Sequence, residues 1–196
     1  MITNKPRFDE ALRRFDEANS EDPTIEIADG KHYPKEVLYA HRMSACLGRV
    51  APDASEALQL AARCQHIRRW SIPRNAFPMD TAGYHKWRNS LKRLHAELAG
   101  QIMQEVGYDA EIIGRVQTLL QKQQLKTDPE MQLLEDVICL VFLEYYFLDF
   151  AKQYPEEKVI DIVQKTWRKM TPQGHALALQ LDMPASAQAL VAKALA

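Results

Sequence analysis

Apolar residues recur along most of this chain at three- and four-residue spacings, the pattern of amphipathic helices. The first such segment runs from about Arg7 to Asn19 with Phe8, Leu12 and Phe15 on one stripe, and a polar loop with Asp29-Gly30 follows it. Pro34 opens a second helix, which turns Val37, Leu38, His41 and Ala45 inward and ends near Gly48. Ser55 caps a third that continues to about Arg69. From Trp70 to Gly83 two prolines and a turn glycine make the longest irregular stretch, a candidate binding loop. A long helix then spans about Tyr84 to Val106, with Trp87, Leu91, Leu94, Leu98 and Ile102 on one stripe and Gly107 as its stop. Asp109 caps a helix to about Gln124, and Asp128-Pro129 starts one that reaches about Gln153. Shorter helices begin near Pro155, Thr171-Pro172 and Ala185. The pattern predicts an all-α fold.

Composition adds bounds to that picture. The 196 residues are 46% hydrophobic and 26% charged, which fits one folded domain, 1–196, with a sizeable core. The 25 basic and 26 acidic residues leave a formal charge of -1, so there is no strong nucleic-acid signal. The longest apolar run, Val137 to Leu143, is far short of the roughly 20 residues needed to cross a bilayer, and no membrane partner is expected. Met1 to Phe8 lacks the apolar core of a secretory signal, which gives a cytoplasmic expectation by default. Cys46, Cys64 and Cys139 are unpaired in number and surrounded by apolar residues, as buried free thiols are.

The chemistry concentrates in a few places. In Leu133 to Leu143 a helix apolar on every side carries Glu135 and Asp136 at its entrance. Neighbouring helical residues point about 100° apart, so at least one of these carboxylates faces the interior. A buried carboxylate needs a partner: an Arg, a Lys, helix N-terminal amides or a metal. By itself an arginine salt bridge ranks ahead of a metal. His95 lies on the apolar face of its helix, His66 near the end of the third helix and His41 on the inward stripe of the second. Each alone reads as a hydrogen-bonded core histidine or a helix C-terminal cap. Three inward histidines and a buried carboxylate on four helices fit a metal site better than any one of them does.

The order of these features resembles the HD-type metal-dependent phosphohydrolase superfamily over about Tyr39 to Tyr146. His41-Arg42-Met43 is similar to its first-histidine helix, Leu60 to Ile67 to its doublet helix, Leu94-His95-Ala96 to its next histidine helix and Leu134 to Leu140 to the helix with its closing aspartate. Two positions depart from that pattern. The doublet reads Gln65-His66, without the metal-binding aspartate, and Lys122 stands where many HD proteins have another histidine. The strings Gln-His-Ile-Arg-Arg-Trp (65–70), Pro-Arg (73–74), Gly-Tyr-x-x-Trp-Arg (83–88) and Leu-Glu-Asp-Val-x-Cys-Leu-Val-Phe-Leu (134–143) resemble a second family, the domain of unknown function DUF4202, over nearly the whole chain.

The HD resemblance implies a core of about five helices, roughly 34–153, with extra helices at both ends. It further implies a divalent transition metal (Mn, Fe, Zn or Ni) on His66, His95 and Asp136, with His41 as a further ligand and Glu135 and Asp136 as the catalytic carboxylates. Arg69, Arg74, Arg88 and Lys122 would bind a small phosphorylated metabolite or nucleotide for hydrolysis. The altered doublet motivates an alternative, a degenerate HD-like module that binds a phosphorylated ligand or a protein partner without hydrolysis. In the blandest reading Arg69, Arg74 and Arg88 pair with Glu135, Asp136 and Asp80, and nothing is bound. Phosphate-binding glycine loops, Gly-x-Ser-x-Gly, His-Glu-x-x-His and Cys-x-x-Cys are all absent.

Overall fold

Most helices of this protein begin where a short polar side chain captures the first free amides. Asn4, Ser55, Asp80, Asp109, Asp128 and Thr171 accept from Arg7, Leu58, Gly83, Ile112, Glu130 with Met131, and Gly174 respectively. In a computed structural model describing residues 2–196, the elements run α1 (Lys5–Ser20), β1 (Ile25–Ala28), β2 (Lys31–Pro34), α2 (Lys35–Val50), α3 (Glu56–Arg63), α4 (Thr81–Glu105), α5 (Ala110–Leu120), α6 (Pro129–Val141), α7 (Phe147–Ala151), α8 (Glu156–Trp167), α9 (Pro172–Ala178) and α10 (Ala185–Leu195). The chain is mostly helical. It divides into two compact units, Met1–Gln124 and Leu125–Ala196. No described helix is long and apolar enough to cross a membrane.

In the first unit α1 packs on α2, α3 and α4, α2 on α3, and α5 on α3 and α4. Its core includes Phe15, Met43, Leu58, Leu60, Leu91 and Met103, all nearly inaccessible. The buried stripe of α4 repeats every four residues through Gly83, Trp87, Leu91, His95, Ala99 and Met103, while Leu94, Leu98 and Ile102 are only half-buried. In the second unit α6 contacts α9, and α10 contacts α7 and α8. Met131, Leu134, Val137, Leu140 and Val141 of α6 are buried, as its all-round apolar character requires. A π-helical turn, Phe142–Tyr146, separates α6 from α7, so the long helix expected to reach about Gln153 is interrupted.

Three other expectations are corrected. The polar loop around Asp29-Gly30 is a hairpin: β1 and β2 pair antiparallel with Ala28 opposite Lys31, and both turn residues have positive φ (50° and 72°), as a type I′ turn needs. The third helix stops at Arg63 rather than near Arg69, and irregular turns carry the chain to Arg68 (φ 50°). The Arg68 amide donates to the Asn19 side chain of α1 at 2.9 Å, a tertiary hold that outweighs continued helix. His41 and Ala45 face solvent, because the buried stripe of α2 runs through Glu36, Tyr39, Ala40, Met43 and Leu47.

The stretch from Trp70 to Gly83, expected to be irregular, is a tied loop as far as Asp80, with α4 starting at Thr81. It contains two single 3-10 turns, Arg69–Ser71 and Arg74–Ala76. Arg74 donates to the carbonyls of Phe77 (3.1 Å) and Asp80 (3.2 Å), and Trp87 Nε1 donates to the Ile72 carbonyl (2.8 Å). The loop crosses α4 so closely that a Cβ on Gly83 would lie 2.0 Å from the Pro78 carbonyl oxygen. Gly83→Ala is therefore expected to cost about 1–3 kcal/mol in urea unfolding. Gly48→Ala, in open space on α2, should instead gain about 0.5–1 kcal/mol.

Candidate functional site

Alpha-helix α2 begins without a side-chain cap of its own, and Asp22 supplies one from before the hairpin. Its carboxylate accepts from Thr24 N (2.9 Å) and Glu36 N (3.1 Å), and Lys35 N donates to the Thr24 carbonyl (2.8 Å). This fixes Glu36 in the first turn, where it is only 4% exposed. Facing it are two residues delivered by the irregular turns after α3. His66 Nδ1 lies 3.3 Å from Glu36 Oε2, off the line a hydrogen bond requires, and Arg69 Nε lies 3.9 Å from Oε1. His66 stacks on Tyr39 of α2 (ring centroids 4.0 Å, 11° between planes), and its ring is 5.9 Å from that of His95 on α4. The guanidinium of Arg69 lies over Trp87, 4.7 Å from the ring centre.

The electrostatics of this cluster are one-sided. Burial pushes Glu36 up to about 7, against the pull of Arg69 and Lys35. Burial also drives His66 well below the usual imidazole range, and Arg69, Arg88, Lys122 and Lys35 push it the same way. His95 falls for the same reasons, burial first and then His66, Arg69 and Arg88, while a hydrogen bond to the Gln65 backbone opposes them. Even Arg69 is lowered, by burial and by Arg88. Both rings are thus neutral near pH 7, Glu36 is close to half-protonated, and four cations act on one small region. Three buried polar atoms there have no hydrogen-bond partner: Arg69 Nη1, His95 Nε2 and Glu36 Oε2. Such orphans are rare in folded proteins.

The other candidates have different surroundings. His41 is exposed, 3.3 Å from Asp16, which also accepts from Arg63 at 2.7 and 2.5 Å. Burial pushes Asp16 up, but His41 and Arg63 outweigh it and hold the carboxyl below its usual value. Arg74 is spent on the two loop carbonyls. Asp136 and Glu135 belong to the second unit, and both are buried. Asp136 Oδ1 accepts from Thr171 N (2.9 Å) and Oδ2 from Thr171 Oγ1 (2.5 Å), so the partner of this carboxylate is the start of α9. Gly174 leaves the room, since a Cβ there would sit 2.7 Å from the carboxyl group. Lys169 Nζ approaches Glu135 Oε1 at 3.7 Å.

Among the described residues no group of three or more His, Cys, Asp or Glu side chains is gathered so as to hold a metal ion. The surrounding charge argues the same way. A divalent cation at His66 and His95 would meet the repulsion of Lys35, Arg69, Arg88 and Lys122, with Glu36 as the nearby carboxylate. The donor set does not fit the expected metal, whereas an anion would relieve the same repulsion.

The sequence profile of one family, described as a domain of unknown function (DUF4202), matches residues 9–191, and the chain belongs to that family. No curated protein and no solved structure matches it.

Two outcomes test this geometry. The folded-state value of Glu36 is raised, so between about pH 4.5 and 7 the folded protein holds a proton that the unfolded chain has released. The stability tied to that proton is present at low pH and lost as pH rises through 7, on the order of 3 kcal/mol. Compared with the parent, Glu36→Gln should gain stability between pH 5 and about pH 7 in urea unfolding and level off above that; a constant difference across the range would show that Glu36 titrates normally. The histidines act with the opposite sign, costing stability as pH falls below about 6.5. In the second unit, Asp136→Ala leaves Thr171 N and Oγ1 without their acceptor, a cost of about 1–3 kcal/mol for each donor left unsatisfied. Thermal unfolding monitored by circular dichroism reads that loss directly.

Proposed function

We propose that this protein binds the phosphoryl group of a small ligand at the cluster of Lys35, Arg69, Arg88 and Lys122, without using a metal. The observation that carries the reading is the concentration of positive charge acting on His66, with Arg69 Nη1 orphaned in the same region. The buried His95 and the half-buried His66 are both pushed well below the usual imidazole range and the half-buried Arg69 is pushed down, with its Nη1 left without an acceptor. A fold keeps mutually repelling, half-buried cations at a cost to its stability, and a phosphate would turn that cost into binding free energy. Arg69 and Arg88 suit the task because a planar guanidinium can meet two phosphate oxygens at once. Arg69 is preset by Trp87 beneath it and by the turn at Arg68 behind it.

This is the binding-module alternative of the two functions raised by the sequence. The HD-type, metal-dependent hydrolase relies on ligands for which the first unit offers His66 and His95 among opposing charges. A protein or phosphoprotein partner would use the same cations, but the burial of His95 and the half-burial of Arg69 and His66 favour a small ligand.

The test is thermal unfolding with increasing inorganic phosphate against chloride of equal ionic strength. Ligand at a hundred times its dissociation constant adds about 2.7 kcal/mol of stability, a rise of several degrees in Tm. The expected result is a saturable, phosphate-specific rise that shrinks in Arg69→Met and Arg88→Met. Equal behaviour in the two salts would defeat the proposal. Near-stoichiometric metal that is lost from His66→Ala and His95→Ala would establish the metal-dependent alternative instead.

A further inference from the structure

The hairpin β1–β2 has an inverted amphipathic pattern. Ile25 and Ile27 are 51% and 67% exposed, whereas Glu26 and Ala28 are half-buried. An apolar alternation that faces outward is the reverse of what packing against α2 alone would select. The backbone is turned to match. Bonded and non-bonded residue pairs alternate along an antiparallel ladder. The Lys35 amide donates to the Thr24 carbonyl at 2.8 Å, so Thr24–Lys35, Glu26–Tyr33 and Ala28–Lys31 are the bonded pairs. Ile25 and Ile27 therefore point their N–H and C=O groups away from β2, where no described residue takes them up. The opposite edge of the hairpin is guarded, since Pro34 has no N–H to offer and Lys31 sets a charge at the start of β2. The β1 edge has neither device.

We infer that β1 pairs antiparallel with β1 of a second copy of this chain, joining two hairpins into one four-stranded sheet. The register follows from self-complementarity. A two-fold pairing centred on Glu26 sets Ile25 of each copy opposite Ile27 of the other, so the free edge groups of both residues are met and four isoleucines form one row on the outer face. Glu26 then meets Glu26 on the inner face, which by itself is unfavourable. Each carboxylate, however, arrives with Lys35 Nζ at 3.5 Å and Arg42 Nη1 at 3.5 Å, so the two acids lie among four cations. An extended segment of another protein would have to supply its own apolar alternation; a second copy carries it already. A two-stranded hairpin is marginal alone, and the wider sheet gives each one the neighbour it lacks. Four residues a side make a small interface beside the roughly 1,200–2,000 Å² of a stable complex, so the dimer is weak and depends on concentration.

The experiment is sedimentation velocity of the full chain from micromolar to millimolar concentration, with amide exchange at Ile25 and Ile27, read by nuclear magnetic resonance, as the local probe. The expected result is a mass that climbs from 22.5 kDa toward twice that value, with slower exchange of both amides as the dimer fills. Ile27→Pro removes an N–H that the hairpin itself does not use, and Ile27→Lys charges the outer row. Each should weaken the dimer about tenfold or more while the circular dichroism spectrum stays unchanged. A chain that stays monomeric throughout overturns the inference and leaves the edge to a strand from another protein. So does a dimer that both variants keep, or one in which the two amides exchange as fast as in the monomer. No arm of the experiment depends on phosphate binding, and the parent protein decides the matter even where a variant does not fold.

Discussion

The candidate site depends on one backbone capture, the Asn19 side chain of α1 accepting the amide of Arg68 in a left-handed turn. Without it, residues 64–69 have every local reason to extend α3. With it, the helix ends at Arg63 and the chain doubles back, bringing His66 against Tyr39 and Glu36 and laying Arg69 over Trp87. A non-glycine residue in that conformation costs about 1–3 kcal/mol and persists only where its surroundings hold it. Arg68 is also anchored through its guanidinium to Glu21 at 2.7 Å. Backbone strain at Arg68 therefore lies next to a cluster of orphaned buried polar atoms.

Much of the fold could be read from the chain. The helix starts at Ser55, Asp109, Asp128 and Thr171 follow from local capping chemistry that a few consecutive residues specify. The hairpin was missed although Asp29-Gly30 between Ile25-Glu26-Ile27 and Lys31-His32-Tyr33 has the two-residue turn and alternation of one. The early end of α3 was not legible, because the group that ends it lies 49 positions away.

The site was legible in part and for a specific reason. His66 and His95 stand out because inward-facing polar groups ask for an explanation, and Arg69, Arg88 and Lys122 because they are cations in or beside the segments that carry the histidines. Glu36 was passed over because a glutamate in a helix's first turn is the ordinary partner of the helix dipole. Its spacing to Ala40, Met43 and Leu47 put it on the buried stripe all the same. For Asp136 the need for a buried partner was clear, and amides at a helix start were among those considered. That Thr171 supplies them through its amide and hydroxyl depends on how α9 packs on α6, which no local pattern shows. His41 was misplaced by one position on its helix, since α2 buries the stripe of Glu36 and Met43 instead.

The central proposal is that a half-buried, cation-rich cluster around two neutral histidines takes up a phosphate. The most direct measurement follows the ring nitrogens of His66 and His95 by nuclear magnetic resonance at pH 7 while inorganic phosphate is added. Two neutral rings are expected at the outset, followed by a saturable shift of both that chloride does not reproduce. Rings that are already charged, or that phosphate leaves unmoved, would contradict the proposal.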